Sequence, residues 1–216
     1  MVESRHSDLW AEVDGCIASQ DRLLRELDDL GEGLDPSHPS ALPGWTVGHV
    51  LTHLARNAES HLAMLDGRPQ YTSAVERDAG IERGAARPAP ELVADLAEWS
   101  QAFAERWRRG RERGDIDVAG TAQRVGGTVP VGMLPMLRWR EVEVHRVDLG
   151  LGATMVELDR EYLRRDLRLL EMLWRARRPM GLTPLPAEVR RLAPHERLGW
   201  FLGRVHLDGV PPPDAI

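Results

Sequence analysis

The chain has 216 residues, 42% hydrophobic and 29% charged, with a formal charge of −6. That is the balance of a water-soluble globular protein with one main core, with no apolar run near the roughly 18 residues of a membrane span, and the acidic charge argues against a general nucleic-acid surface. Cys16 is the only cysteine and there is no lysine, which excludes disulfides, multi-cysteine metal sets, Schiff-base catalysis and a Walker-type phosphate loop.

Apolar residues at helical spacing predict a first amphipathic helix over 7–30, broken by GEGLDPSHPSALPG. Thr46 is placed to cap a second helix that runs to Leu65 and stops at Asp66-Gly67. The stretch 68–90, rich in Gly, Ala, Arg and Pro, reads as a long loop with at most a short helix. Further helices are expected over 90–113, 135–149 and 158–177. Residues 116–118 and 123–131 are the only strand candidates. From Pro179 onward seven prolines predict an irregular tail around one helix near 195–203. No internal repeat is present. These elements amount to an antiparallel bundle of about four helices with a C-terminal extension. The opening MVESRHSDLW lacks the basic and apolar regions of a secretory leader, so the expected location is cytoplasmic.

Chemistry concentrates on two helices. At 100° per residue, Leu134, Leu137, Glu141, Val144, His145, Asp148 and Leu149 share one sector, which puts a carboxylate and an imidazole one turn apart on an apolar face. A carboxylate buried there needs a cation. The plain alternative is that Glu141 pairs with His145 alone or with an arginine such as Arg138. On the second helix, GHVLTHLARNAESH sets His49, His53, Asn57 and His61 four apart, an arrangement that can ligate a metal. His53 falls at the edge of the apolar stripe, so periodicity alone does not bury it. A His/His/Glu set without cysteine suits zinc first, then nickel, cobalt or manganese, and leaves a coordination position open. Asp148 is a further ligand or a support for one. The basic cluster RWRRGRERG reads as the solvated end of a helix.

LPGWTVGHVLTHLARNAESH and MLRWREVEVHRVDLGLG, in this order, resemble the mycothiol-dependent maleylpyruvate isomerase family of the DinB-like helical bundles, over about residues 7–178. The resemblance implies an all-α, DinB-like antiparallel four-helix bundle over 1–150 with a short C-terminal extension over 151–216. It implies a divalent metal, zinc first, on His53, Glu141 and His145, with His49 a neighbour and His61 outside the set. It also implies mycothiol as thiol cofactor. GWFLGR resembles the family's closing stretch, where an arginine is associated with activity, here Arg204. Only 38 residues follow residue 178, so the family's small C-terminal sheet is expected to be missing or vestigial. The chemistry implied is that a thiolate, generated at neutral pH, adds to the double bond of maleylpyruvate; rotation and elimination then give the trans isomer. Arg77, assigned to cofactor binding, or Arg204 would grip carboxylates in bidentate fashion.

Three functions therefore stand in order: a metal- and thiol-dependent isomerase or S-transferase acting on an anionic or electrophilic small molecule, a non-catalytic metal-binding module, and a nucleic-acid-associated protein. The first expects no nucleic-acid or membrane partner and a monomer or homodimer. A fourth protein ligand, His49 foremost, would favour the second.

Overall fold

In the computed structural model, residues 2–177 and 183–213 are described, with side chains from Asp8 onward. Pro179, where the irregular tail was expected to begin, lies outside them. Among the described residues the helical periodicities become α1 (Val2–Leu30), α2 (Val47–Leu65), α3 (Ala74–Ala85), α4 (Ala89–Arg113), α5 (Leu134–Asp148), α6 (Arg160–Arg175), α7 (Ala187–Arg191) and α8 (Pro194–Phe201). One antiparallel hairpin, β1 (Thr121–Arg124) and β2 (Gly127–Pro130), joins α4 to α5, with Thr121 opposite Pro130 and Arg124 opposite Gly127. No helix among the described residues is long and apolar enough to cross a membrane.

The chain divides into two compact units, Met1–Ala153 and Thr154–Ile216. In the first, α2 packs against α4, α3 and α5, while α1 packs against α5 and α4. Leu23 and Leu27 of α1, Val50, Leu51 and Leu54 of α2, Leu92 and Leu96 of α4 and Val142 of α5 meet in one cluster. At about 1.5–3 kcal/mol for each buried aliphatic side chain, this cluster dominates the cohesion of the unit. Arg138 of α5 donates from Nη1 to Leu54 O at 2.8 Å, and His53 meets Glu141. Rising numbers on α2 thus meet falling numbers on α5, so the two helices run antiparallel.

Three local expectations change. Residues 68–90 are not a long loop. Ser73 accepts a hydrogen bond from Glu76 N at 3.1 Å and starts a 12-residue helix. That helix lies flush on α2 because a Cβ on Gly48 would stand 2.0 Å from Ala85 O, and one on Gly84 would stand 2.4 Å from Thr52 Cγ2. Residues 116–118 form no strand; Ile116 instead packs on Gly110 of α4, where a Cβ would come within 2.2 Å of its Cδ1. The candidate over 123–131 is the hairpin, reversed at Val125-Gly126. Finally, α5 is not one-sided. Leu137 of the supposed inward sector is only half-buried, while Arg138, Trp139 and Glu143 outside it are fully enclosed. The helix is gripped by α1 on one flank and α2 on the other. On the α1 flank Glu143 accepts from Ser19 and from Arg22 at 2.6 Å, and Trp139 Nε1 donates to Ser19 at 2.8 Å.

In the second unit, α6 packs against α8. Trp174, Trp200 and Phe201 form an aromatic cluster with ring centroids 5.1–6.2 Å apart. Among its described residues there is an isolated bridge, Leu207 to Val210, but no paired strands.

Candidate metal centre

Thr46 is extended, and its N–H donates to His49 Nδ1 at 3.1 Å while its hydroxyl lies 2.9 Å from the same atom. This capping interaction starts α2 and takes up His49. The other ring nitrogen of His49 faces Glu82 Oε2 of α3 at 3.4 Å. One turn on, His53 is buried and turns Nε2 toward α5, 2.8 Å from Glu141 Oε2. The same Glu141 oxygen is 3.3 Å from His145 Nε2. The two imidazoles meet edge to face with centroids 4.7 Å apart. Trp45 covers His53 from the other side at 5.6 Å and stacks on His49 at 6.1 Å. Side-chain exposure rises from 6% at His53 through 14% at His145 to 27% at Glu141, so the cluster opens to solvent on its α5 edge.

Electrostatics divide the three groups. Burial pushes the Glu141 carboxyl up, but hydrogen bonds and charge from His145 and His53 outweigh it and hold the group well below the usual carboxylate range. Burial also works against a charged His145; its bonds to Asp148 and Glu141 prevail, and its pKa is raised to about 9. For His53 burial wins over Glu141, and the pKa falls. Without an ion His145 thus favours the charged form and His53 the neutral one; a bound cation would take the place of the His145 proton.

His53, Glu141 and His145 are the group of possible metal ligands among the described residues, each offering one atom within 4.8 Å of the others. Glu141 Oε2 and His145 Nε2, 3.3 Å apart, stand about as two donors of one tetrahedral ion with bonds of roughly 2.0–2.2 Å do, whereas His53 Nε2 and Glu141 Oε2, 2.8 Å apart, are at hydrogen-bond distance and would part by roughly 0.5 Å around an ion. Asp148 Oδ2 accepts from His145 Nδ1 at 2.8 Å, which directs the Nε2 lone pair into the group. His49, the foremost candidate for a fourth ligand, faces Thr46 and Glu82 instead. The plain pairing of Glu141 with Arg138 does not occur either: Arg138 bonds Gln20, Leu54 O and Asn57.

The remaining candidates divide. Arg77 on α3 is half-buried, with Nη1 2.7 Å from Asp78 and Nη2 3.4 Å from His53 Nδ1, so it stands at the cluster. Arg204 belongs to the second unit, in the turn after α8, where Nη1 donates to Leu202 O at 2.6 Å.

Residues 18–150 match the family model described as the mycothiol maleylpyruvate isomerase N-terminal domain. The chain belongs to this family. Its fold is that of the crystal structure of the mycothiol-dependent maleylpyruvate isomerase, at TM-score 0.66 and 25% identity over 78% of this chain and 71% of that one. A histidine-to-alanine mutant of the mycothiol-dependent maleylpyruvate isomerase matches with the same TM-score and coverage at 24% identity. The all-α, DinB-like architecture expected from the sequence is therefore the architecture of the chain. No curated protein matches it.

Sequence reasoning passed over Trp45 beside the centre and weighed Arg138 only as a partner for Glu141. Arg138, one turn before Glu141 on α5, carried the only usable signal, a charge next to an apolar stripe.

Proposed function

We propose that this protein is a mycothiol-dependent enzyme with a divalent-metal centre on His53, Glu141 and His145, and that it isomerises maleylpyruvate or transfers the thiol to a related electrophile. The observation that carries the reading is the convergence of three ligand atoms while His49 is engaged elsewhere, because three protein ligands leave a position for an exogenous group. The family membership supplies the thiol and the substrate class.

A bound divalent ion, zinc first for a nitrogen and oxygen set, supplies a Lewis acid that lowers the pKa of a thiol. The chain's own residues do the rest. Asp148 fixes the tautomer of His145, and Trp45 shields His53. A cleft of about 540 Å³ bordered by Asp35, Thr46, His49, Glu82 and Arg87 lies at the start of α2. Arg77 offers a guanidinium to a carboxylate, and Arg204 is assigned to orienting substrate or cofactor. The proposed setting is the cytoplasm, with a monomer or homodimer as the working form.

The test is calorimetric titration of metal-loaded protein with mycothiol, paired with a maleylpyruvate assay. Binding should weaken as metal is removed. Equal thiol affinity with and without metal would refute the mechanism, and metal-dependent binding without isomerisation would reject the substrate. A non-catalytic metal-binding module would instead require His49→Ala to release metal as fully as His53→Ala.

A further inference from the structure

The Thr154–Ile216 unit contains a cleft of about 510 Å³, lined by Glu171 and Arg175 of α6, Thr183, Arg190 of α7 and Arg197 of α8. Hydrogen bonds tie its walls together. Arg197 donates from Nη1 to Glu171 Oε1 at 2.8 Å and from Nη2 to the carbonyls of Arg190 and Leu192 at 3.1 and 3.2 Å, which pins α8 and the end of α7 to α6. Trp174 Nε1 donates to Pro184 O at 3.1 Å and Thr183 N to Arg175 O at 3.4 Å, which holds residues 183–184 on the last turn of α6.

Charge at this cleft is unbalanced. Three guanidiniums share one carboxylate, and Arg197 already takes it. Arg175 and Arg190 are exposed, and among the described residues neither side chain has an ionic partner. Two further polar atoms of the lining residues, Thr183 Oγ1 and Arg197 Nε, are enclosed with no hydrogen-bond partner among the described residues, a state that folded proteins ordinarily avoid. The competing account is that a cation in the last turn of α6 or α7 complements the helix dipole. It explains Arg175 and Arg190 singly. It leaves unexplained both the cleft they share and the fixed guanidinium of Arg197 in its wall.

We propose that this cleft binds a small organic dianion, a phosphate monoester or a dicarboxylate, gripped by Arg175 and Arg190 against the wall that Arg197 fixes. The two positive charges left over by the Glu171–Arg197 pair match two negative ones, and guanidinium forks take phosphate and carboxylate oxygens in bidentate fashion. The volume falls within the roughly 300–1,000 Å³ of small-molecule sites, more than a bare inorganic ion fills. Pro184 and Leu185 supply an apolar face for a carbon skeleton. All of these residues belong to the unit that does not carry the His53–Glu141–His145 cluster, so the inference does not depend on the reading of that cluster.

The experiment titrates full-length protein in a calorimeter with glycerol 3-phosphate and, separately, with glutarate. At least one should bind, more weakly as salt is raised, and the tighter of the two names the anion. Arg175→Gln and Arg190→Gln alter exposed side chains and should fold. Each should weaken binding about tenfold, the worth of one hydrogen bond to a charged partner, and the double variant should abolish it. His53→Ala should leave the affinity as it is. No binding of either probe at millimolar concentration, or binding that both arginine variants retain, overturns the site. Binding lost in His53→Ala assigns the anion to the metal centre and overturns it as well.

Discussion

Asp148 Oδ2 lies 2.8 Å from His145 Nδ1, and the opposite nitrogen of the same ring faces Glu141 at 3.3 Å. A carboxylate that accepts from a ligating imidazole fixes its tautomer and strengthens it as a donor. Asp148→Asn is therefore expected to keep the fold and lower metal affinity roughly 10–100-fold, measured by competition with a chelator. An unchanged affinity would make the contact purely structural.

Protein purified without added metal or chelator is expected to hold about one equivalent of divalent metal by elemental analysis. His53→Ala and Glu141→Ala should each lose it while remaining folded. His49→Ala should retain it, because His49 serves Thr46 and Glu82. That variant should instead lose about 1 kcal/mol of stability through the weakened start of α2. Full metal content in both ligand variants would disprove the site.

Burial lowers the His61 pKa from 6.5 to about 4. Between these values the unfolded chain binds a proton that the folded protein refuses, so stability falls as pH drops through this window and is unaffected above it. The contribution is on the order of 3 kcal/mol at full extent. His61→Gln should flatten the difference in unfolding free energy between pH 7 and pH 4.5 relative to wild type. Identical pH profiles would show that His61 is protonated at no extra cost in the fold.

Among the sequence-predicted site residues only Arg204 lies in the Thr154–Ile216 unit. Arg204→Ala is expected to lower maleylpyruvate turnover at least tenfold, the loss of one charge-assisted contact, while metal content stays at wild-type level. Wild-type turnover in the variant would remove Arg204 from the enzyme's working parts.

The amino-acid order by itself located the long helices, though not α3, and the Glu141/His145 pair. Apolar spacing located α2, α4, α5 and α6, and Thr46 marked the start of α2, because periodicity and capping are local properties of the backbone. Glu141 and His145 were legible as a pair for the same reason, since residues four apart on a helix share a face. Tertiary structure decided which histidine joins them. His49 and His53 look alike in the sequence, and a helical projection put His53 at the margin of its stripe. Packing separates them: Thr46 and Glu82 take His49, while Trp45 and α5 close over His53. The projection also misjudged α5, because a helix gripped on two flanks buries Arg138 and Glu143 together with its apolar residues. Residues 68–90 escaped for a third reason. Glycine and proline look like breakers when read alone, yet beside α2 the missing side chains of Gly48 and Gly84 are what allows α3 to sit close enough for Arg77 to reach His53.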